Sequence, residues 1–248
     1  MRRLVPEPPA DVTVSELMAE LRPFEEAGAD RPWVISNFVL TLDGRATFGG
    51  VSKELGSQRD TEMLVGLRTR VDAVMIGAGT MRQECYGRVV RDPAKRERRA
   101  SEGLPLDPLM VLVSGRLDLP WEAPLFTDGD GEVLIYTTSD ADPPDTATPV
   151  EVVRHEGMVD LAKALGQLRS EHGVRSLLCE GGPHLHAQLV QGRLIDEMFV
   201  TRALKLVGGE GPGLFAGLPE AERPLEVVWL VFEQETGELF GRFRVPGD

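Results

Sequence analysis

The chain has 248 residues, 42% of them hydrophobic and 27% charged, a globular composition that excludes a mainly disordered protein. Its 27 basic and 40 acidic residues give a formal net charge of −13, so the basic surface of a nucleic-acid-binding protein is not expected. No run of about 18 apolar residues occurs, and the first residues lack the apolar centre of a signal peptide. We therefore predict a cytoplasmic protein with no membrane partner.

The cysteines and histidines do not suggest a metal centre. Cys85 and Cys179 are too few for a metal cage or a secreted disulfide framework. Of the four histidines, only His184 and His186 lie close together, and a helix would point their side chains in different directions. We predict no metal site.

The first thirty residues differ in pattern from the rest. Residues 1–30 are predicted to be an N-terminal extension, with a helix from Ser15, its N-cap, to about Ala27. Residues 31–248 are predicted to form one domain.

Apolar runs and turn residues predict the elements of that domain. Strands are predicted at 33–40, 71–77, 109–113, 132–136, 150–154 and 176–179, with a C-terminal hairpin at 227–245. Helices are predicted from Ser57, over 158–172, and after Pro183, while the basic run Lys95 to Arg99 is predicted to be a solvated loop. Alternating strands and helices followed by an antiparallel pair predict an α/β sandwich with a mixed sheet. The apolar hairpin is compatible with a covered edge, a dimer edge or ordinary core packing.

Two glycine-rich turns follow apolar strands. They are Gly77-Ala-Gly79-Thr80 and Glu180-Gly181-Gly182-Pro183. Each alone is equally compatible with a simple strand-to-helix turn, but two at the strand ends of one sheet favour a nucleotide crevice. The Rossmann fingerprint fails at the first turn, because its third glycine is missing and no clear helical pattern follows. A dinucleotide site of another architecture is therefore predicted.

A third feature is Leu42-Asp43-Gly44-Arg45, at the end of the first long strand. Taken alone, Asp-Gly is more typical of a tight turn than of a catalytic site. With the glycine turns it forms an ordered set: N-F-V-L-T-L-D-G-R (37–45), G-V-S (50–52), V-M-I-G-A-G-T (74–80), C-E-G-G-P (179–183) and L-V-G-G-x-G-P (206–212). This set resembles the riboflavin-pathway pyrimidine reductases, over residues 31 to 245.

The resemblance implies a dihydrofolate-reductase-like three-layer sandwich with a mixed, mostly parallel central sheet, and a homodimer. It also implies an NADPH-dependent reductase that transfers hydride to C1′ of a 5-amino-6-(5-phosphoribosylamino)uracil-type substrate. The zinc signature of the deaminase domain fused to some members is absent from these residues, which suggests a stand-alone reductase.

The resemblance also implies roles for individual residues. The implied cofactor contacts are Leu40, Gly77, Gly79, Thr80, Glu84, Ser114, Arg116, Gly181, Gly182, Pro183, His184, Leu185 and His186. The implied substrate contacts are Asn37, Ser52, Arg68, Arg91 (or Arg88, since the match is loose there) and Glu180. Asp43 and Glu84 are the predicted catalytic acidic residues. Competing structural interpretations make Arg68 a helix cap and the two histidines surface residues.

Departures from the family pattern leave rival functions open. Many members have Lys at the position of Asn37, Asp at that of Glu84, and Trp near Glu54. Because Asn37 removes a cation from the pocket, a pterin or dihydrofolate reductase remains an alternative. A non-catalytic NADPH-binding protein is the alternative from a different class.

Overall fold

The computed structural model describes residues 1–52, 54–209, 213–215 and 217–247. The strands are β1 (Arg2–Val5), β2 (Ala10–Asp11), β3 (Trp33–Thr41), β4 (Ala73–Gly77), β5 (Leu109–Ser114), β6 (Val133–Thr137), β7 (Val150–Arg154), β8 (Ser176–Gly181), β9 (Glu197–Ala203), β10 (Glu226–Phe232) and β11 (Leu239–Arg244). The helices are α1 (Val14–Ala19), α2 (Pro23–Glu26), α3 (Gln58–Arg68), α4 (Ala78–Glu84), α5 (Pro93–Ser101), α6 (Pro124–Thr127), α7 (Leu161–Ser170) and α8 (Pro183–Gln191).

These strands form one sheet in the order β2-β1-β10-β11-β9-β3-β8-β4-β5-β6-β7. The run from β9 to β7 is parallel, and the strands from β9 out to β2 are antiparallel. Strands β4 and β8 are almost continuously apolar and buried, as expected for parallel strands covered on both faces. The predicted mixed, mostly parallel sheet with a C-terminal antiparallel hairpin is confirmed.

Two apolar cores lie on opposite faces of the sheet. Alternate residues of β4 point to different cores, Val74 and Ile76 to one and Ala73 and Met75 to the other. Helices α1 and α3 pack in the first core, whereas α7 and α8 pack in the second. The predicted three-layer arrangement is therefore present.

The N-terminal extension is part of this architecture. Strand β1 pairs antiparallel with β10, and Leu17, Met18 and Leu21 are buried in the first core. The predicted helix is present but shorter, and Thr13 rather than Ser15 is its N-cap, in a capping box with Glu16. The edge of the hairpin is therefore covered by the chain's own N-terminus.

The basic run 95–99 was wrongly predicted to be a solvated loop. It lies in α5, where Asp92 caps the helix and Pro93 starts it. The Arg99 side chain is completely buried and donates hydrogen bonds to the carbonyls of Arg68 (2.6 Å), Val71 (2.8 Å) and Pro105 (2.9 Å). A charge count along the sequence does not reveal that one of five charged residues points inward.

The first glycine turn is also different from its prediction. Gly77 is the N-cap of α4, and Ala78, Gly79 and Thr80 form the first turn of that helix. The helix was missed because its seven residues, AGTMRQE, contain a single buried apolar side chain, Met81, and so show no apolar stripe. The described residues include no helix long and apolar enough to cross a membrane.

Candidate active site

A cavity of about 580 Å³ opens at the carboxyl ends of β3, β4 and β8. Helix α3, the end of α4 and the segment 85–95 form its walls, together with the start of α8. Such a crevice at strand ends is where open α/β sheets bind ligands. The predicted residues that line it are Asn37, Ser52, Arg68, Thr80, Glu84, Arg91, Glu180, Gly181, Gly182, Pro183 and His186.

The most buried polar cluster of the cavity joins Arg68, Glu180 and Tyr86. Arg68 donates from Nε and Nη2 to the two Glu180 oxygens, each at 2.6 Å, and the Tyr86 hydroxyl donates to Oε2 at 2.9 Å. The side chain of Glu180 is 3% exposed. Both carboxylate oxygens therefore already have donors, and Arg68 is an ion-pair partner instead of a helix cap.

Protonation within this cluster is fixed by the same contacts. Burial opposes the charge on Arg68, but the charge of Glu180 and its hydrogen bonds outweigh burial, so the pKa of Arg68 is raised. Burial, followed by the negative charge of Glu180, raises the pKa of Tyr86 well above its usual value. The cluster is therefore a rigid wall with a neutral phenol and a paired cation.

A second cluster joins two predicted residues from distant segments. The carboxylate of Glu84 accepts hydrogen bonds from the backbone N–H of Ser52 at 3.2 Å and from its hydroxyl at 3.0 Å. This contact ties the loop after β3 to the end of α4, and both residues line the cavity.

The two glycine segments meet at Thr80. A Cβ on Gly182 would lie 3.0 Å from Thr80 Oγ1, and one on Gly181, whose φ is +134°, would lie 3.3 Å from it. The Gly181–Gly182 peptide bond is cis. Gly182 is the N-cap of α8, and no side chain caps that helix start. The close approach requires glycine here and leaves backbone N–H groups of α8 available to a ligand.

His186 is buried in the cavity wall instead of lying on the surface. Its Nε2 lies 3.2 Å from the carbonyl oxygen of Cys179, and its ring packs on Phe38 with centroids 3.8 Å apart. Because a carbonyl only accepts, Nε2 carries the proton. Burial lowers the pKa of His186 to about 3, so the ring is neutral.

Asp60 is a cavity carboxyl that sequence reasoning did not place in the site. Asp60 follows the helix cap Ser57 by three residues, but the Ser57 backbone N–H donates to Glu238 at 2.8 Å and not to Asp60. Asp60 lines the cavity and forms a hydrogen bond with Thr201. Burial, aided by the negative charge of Glu238, raises the pKa of Asp60 to about 6 against the effect of Thr201.

The end of the cavity near segment 88–95 is cationic. Arg88 forms ion pairs with Asp107 (3.2 Å) and Asp130, so its charge is already matched. The guanidinium Nε of Arg91 donates to the Arg88 carbonyl at 3.3 Å, and neither Arg91 nor Lys95 has a carboxylate partner among the described residues. Of the two arginines left open by the sequence, Arg91 is the one available to a ligand.

The position of Asp43 does not support the catalytic role predicted for it. Asp43 is exposed, lies outside the cavity lining, and accepts hydrogen bonds from the Thr41 hydroxyl (2.6 Å) and the N–H groups of Val207 (3.3 Å) and Gly208 (2.7 Å). The Thr41 bond, then that of Gly208, lowers the pKa of Asp43 to about 2. The carboxylate holds two loops together.

Several other predicted cofactor residues lie outside the cavity lining. Leu40 is 2% exposed and Leu185 packs in the second core, so their side chains are not available to a ligand. Strand and helix periodicity turns them inward, a geometry that motif matching ignores. His184 and Arg116 are exposed, and Ser114 is buried at the end of β5. Gly77 and Gly79 lie at the start of α4, beside the cavity residue Thr80.

Comparison with known proteins identifies the family. The family model described as RibD C-terminal domain matches residues 32–230. The chain belongs to the RibD C-terminal domain family. The predicted resemblance is thus confirmed, and with it the prediction of an oxidoreductase of this reductase family.

Two curated proteins similar to this chain are reductases, one from Archaeoglobus fulgidus and one from Aquifex aeolicus. The 2,5-diamino-6-ribosylamino-4(3H)-pyrimidinone 5′-phosphate reductase of Archaeoglobus fulgidus is 29% identical, over 72% of this chain and 83% of its own length. The reductase of the same name from Aquifex aeolicus is 28% identical, over 76% of this chain and 84% of its own length. These relatives are pyrimidine phosphate reductases.

Solved structures show the same fold. A pyrimidine reductase-like protein from Corynebacterium diphtheriae superposes with a TM-score of 0.80 at 24% identity, covering 96% of this chain and all of its own. A deaminase/5-amino-6-(5-phosphoribosylamino)uracil reductase from Thermotoga maritima gives 0.69 at 21% identity, covering 87% of this chain and 57% of its own.

Some family features lie outside the described structure. Residues 210–212 of the L-V-G-G-x-G-P motif, and Lys53 after the G-V-S motif, fall there. Within the described residues no group of three or more His, Cys, Asp or Glu side chains is arranged to hold a metal ion.

Proposed function

We propose that this chain is an NADPH-dependent reductase that transfers hydride to C1′ of a phosphoribosylaminopyrimidine. The observation that carries the proposal is a single cavity that joins an uncapped helix start at Gly182 to the buried Arg68–Glu180–Tyr86 cluster and to a cationic end. Family membership and the names of the relatives support the same chemistry.

The residues around α4 and α8 fit a dinucleotide. A Cβ at Gly79 would meet no atom within 4 Å, so the surface over the first turn of α4 is open. The free N–H groups at the start of α8 suit a diphosphate, because they add hydrogen bonds and the positive end of the helix dipole. Thr80 and Glu84, both in α4, line the cavity. NADPH, when bound, supplies the hydride.

The rest of the cavity fits the substrate. Arg91 and Lys95 have no carboxylate partner among the described residues, so they are available to the 5′-phosphate. The Arg68–Glu180–Tyr86 cluster forms a fixed wall next to that end. Asn37 and Phe38, from β3, also line this cavity. The protein then acts by orienting the reacting groups and excluding water.

Oxidation of NADPH with candidate substrates tests this function. Turnover with a phosphoribosylaminopyrimidine, and none with dihydrofolate, is expected. Turnover only with dihydrofolate would establish the pterin reductase, and tight NADPH binding without any turnover would establish the non-catalytic protein. NADH as a parallel cofactor tests the preference for NADPH. Glu84→Gln is expected to lower kcat/KM about 10-fold or more, since it weakens the hydrogen bonds to Ser52 in the cavity lining.

Two further expectations concern the protein's state in the cell. We propose a homodimer in the cytoplasm, on the basis of the family resemblance. Light scattering after size-exclusion chromatography and cell fractionation test these two expectations separately.

A further inference from the structure

Four carboxyl groups line the cavity among the described residues: Asp60, Glu84, Asp92 and Glu180. Three of them already accept hydrogen bonds from strong local donors. Glu180 accepts hydrogen bonds from Arg68 and Tyr86, and Glu84 accepts them from the N–H and hydroxyl of Ser52. Asp92 accepts a hydrogen bond as the N-cap of α5. Asp60 has a hydrogen bond with Thr201 and no cation partner among the described residues. Asp60 and Asp92 each have one hydrogen bond, but Asp92 is exposed whereas Asp60 is half-buried, so Asp60 keeps acceptor capacity for a ligand inside the cavity.

Asp60 lies in the first turn of α3, whereas Arg68 lies at the C-terminal end of that helix. Asp60 and Arg68 are eight residues apart on α3, which separates their Cα atoms by about 12 Å along the helix. The Arg68 guanidinium Nη1 contacts the Val89 carbonyl at 3.3 Å, so segment 88–91 adjoins the C-terminal end of α3. Arg91 and Asp60 line the same cavity, so one extended substrate can contact both.

The local packing fixes the Asp60 carboxyl. A Cβ on Gly56 would lie 2.2 Å from Asp60 Oδ2, so the missing side chain at 56 provides the space that this carboxyl occupies. Ser57 Oγ caps the helix and accepts a hydrogen bond from the Asp60 backbone N–H at 3.4 Å. The carboxyl is held at the helix start, between the cavity and the β10–β11 hairpin.

We propose that Asp60 reads the 2-position of the pyrimidine ring and selects a 2-amino-4(3H)-pyrimidinone over the corresponding uracil. The 2-amino group and the ring N3–H are two adjacent donors, which match the two oxygens of a carboxylate. A uracil presents the O2 acceptor beside N3–H and leaves one carboxylate oxygen facing another oxygen. This inference rests on the proposed reductase function and decides which of the two substrate types named for its relatives this chain reduces.

The charged groups around Asp60 set the pH dependence of this selection. Glu238 from the hairpin carries a negative charge that favours protonation of Asp60. Lys205, after β9, places its ammonium on the carbonyls of Glu54 (3.1 Å) and Leu55 (2.9 Å), and Arg59 is held by Glu233. Once protonated, the Asp60 hydroxyl can donate to O2 of a uracil. The preference for the 2-amino substrate is therefore expected to narrow as pH falls through about 6.

The test compares kcat/KM for the phosphoribosylamino derivatives of the 2,5-diaminopyrimidinone and the 5-aminouracil. Wild-type protein is expected to prefer the diaminopyrimidinone by about 10²-fold or more, because the uracil leaves a buried carboxylate unpaired. Asp60→Asn is expected to reverse the preference, since its amide donates to O2 and accepts from N3–H. Glu62→Gln, on the same helix but outside the cavity lining, is the matched control and should keep the wild-type preference.

If Asp60→Asn does not fold, the Glu238→Gln variant and a measurement of product binding still test the role of Asp60. Glu238→Gln removes the neighbouring negative charge and should move the pH at which uracil turnover rises to lower values. Calorimetry with the two ribitylamino phosphate products measures the same preference without catalysis. Equal use of both substrates by wild-type protein, or an unchanged preference in Asp60→Asn, overturns the role of Asp60. Turnover of neither substrate by wild-type protein overturns the proposed function, and calorimetry then decides the role of Asp60 separately.

Discussion

The buried Arg68–Glu180 pair illustrates how one residue restricts what its neighbours can do. Arg68 binds both oxygens of Glu180, and the Tyr86 hydroxyl donates a third hydrogen bond to the same carboxylate. Removing one partner leaves the other charge buried and unpaired, which costs more than the pair contributes. The pair is therefore sensitive to single substitutions and tolerant of paired ones.

Glu180→Gln is expected to lower the free energy of unfolding by about 3–5 kcal/mol, because Arg68 then lacks its counter-charge. Adding Arg68→Met to this variant should recover a substantial part of the loss. Urea unfolding measures both. Asp118→Asn removes the partner of Arg82 in an exposed pair (42% and 65% exposed side chains) and should cost less than about 1 kcal/mol. Strictly additive effects in the double variant would contradict this view of the pair.

Asp60 is expected to make stability pH-dependent. The pKa of Asp60 is about 6 in the folded protein and 3.8 in the unfolded chain, so the folded state binds the proton more tightly. The stabilising contribution of the protonated Asp60 carboxyl is complete below pH 3.8 and is lost as pH rises through about 6. Asp60→Asn should therefore be more stable than wild type at about pH 8, by on the order of 2 kcal/mol, and the difference should vanish in acid. Denaturant titrations across this range measure it, and a pH-independent difference would contradict it.

At the scale of elements, α5 is anchored to the end of α3 by a single side chain. Arg99→Met removes three hydrogen bonds from a charged donor to the carbonyls of Arg68, Val71 and Pro105. The expected loss is about 2–4 kcal/mol of unfolding free energy, since buried carbonyls lose their partner. Arg98→Met, in the same helix turn and exposed, is the control and should change stability by less than about 0.5 kcal/mol.

A substitution at the start of α4 is expected to affect protein stability and NADPH binding in opposite directions. Gly79→Ala places a methyl group in open space within a helix, so stability should rise by about 0.5–1 kcal/mol. The same methyl group would occupy the surface assigned to NADPH, so affinity for NADPH should fall. Gly166→Ala in α7 should give a similar gain with unchanged NADPH affinity, since its Cβ would meet only the Asp30 carbonyl oxygen at 3.8 Å. Thermal unfolding and fluorescence titration distinguish the two effects.

At the scale of the whole molecule, the N-terminal strands close one side of the sheet. Strand β1 covers the edge of β10, and the family model begins only at residue 32. Without these strands, unpaired N–H and C=O groups of β10 are exposed to other chains.

Deletion of residues 1–12 is expected to lower the unfolding free energy by about 2 kcal/mol, equivalent to a Tm lower by about 4–8 °C. Concentration-dependent association should accompany it, because an open strand edge pairs with another. Calorimetry and light scattering measure the two consequences. An unchanged Tm together with a monodisperse truncated protein would contradict this role of β1.

The sequence predicted the elements whose apolar pattern is local. The runs at 71–77 and 176–179 became β4 and β8, and the hairpin became β10 and β11. Ser57 was correctly predicted as a helix cap. Ordered motifs also led to the correct family. These inferences succeed because burial on both faces and helix capping depend on neighbouring residues, and because the order of motifs can be seen directly along the sequence.

Pairing between distant residues was decided only by the tertiary structure. Asp43 and Asp60 are both acidic residues near turn signals, yet Asp43 holds a loop through Gly208 while Asp60 faces the cavity. Arg68 and Glu180 are 112 residues apart, and Arg99 is buried within a run that looks fully solvated. Whether a charged group binds a ligand, pairs or caps depends on which groups the fold brings within hydrogen-bonding distance, and sequence spacing alone does not contain that distance.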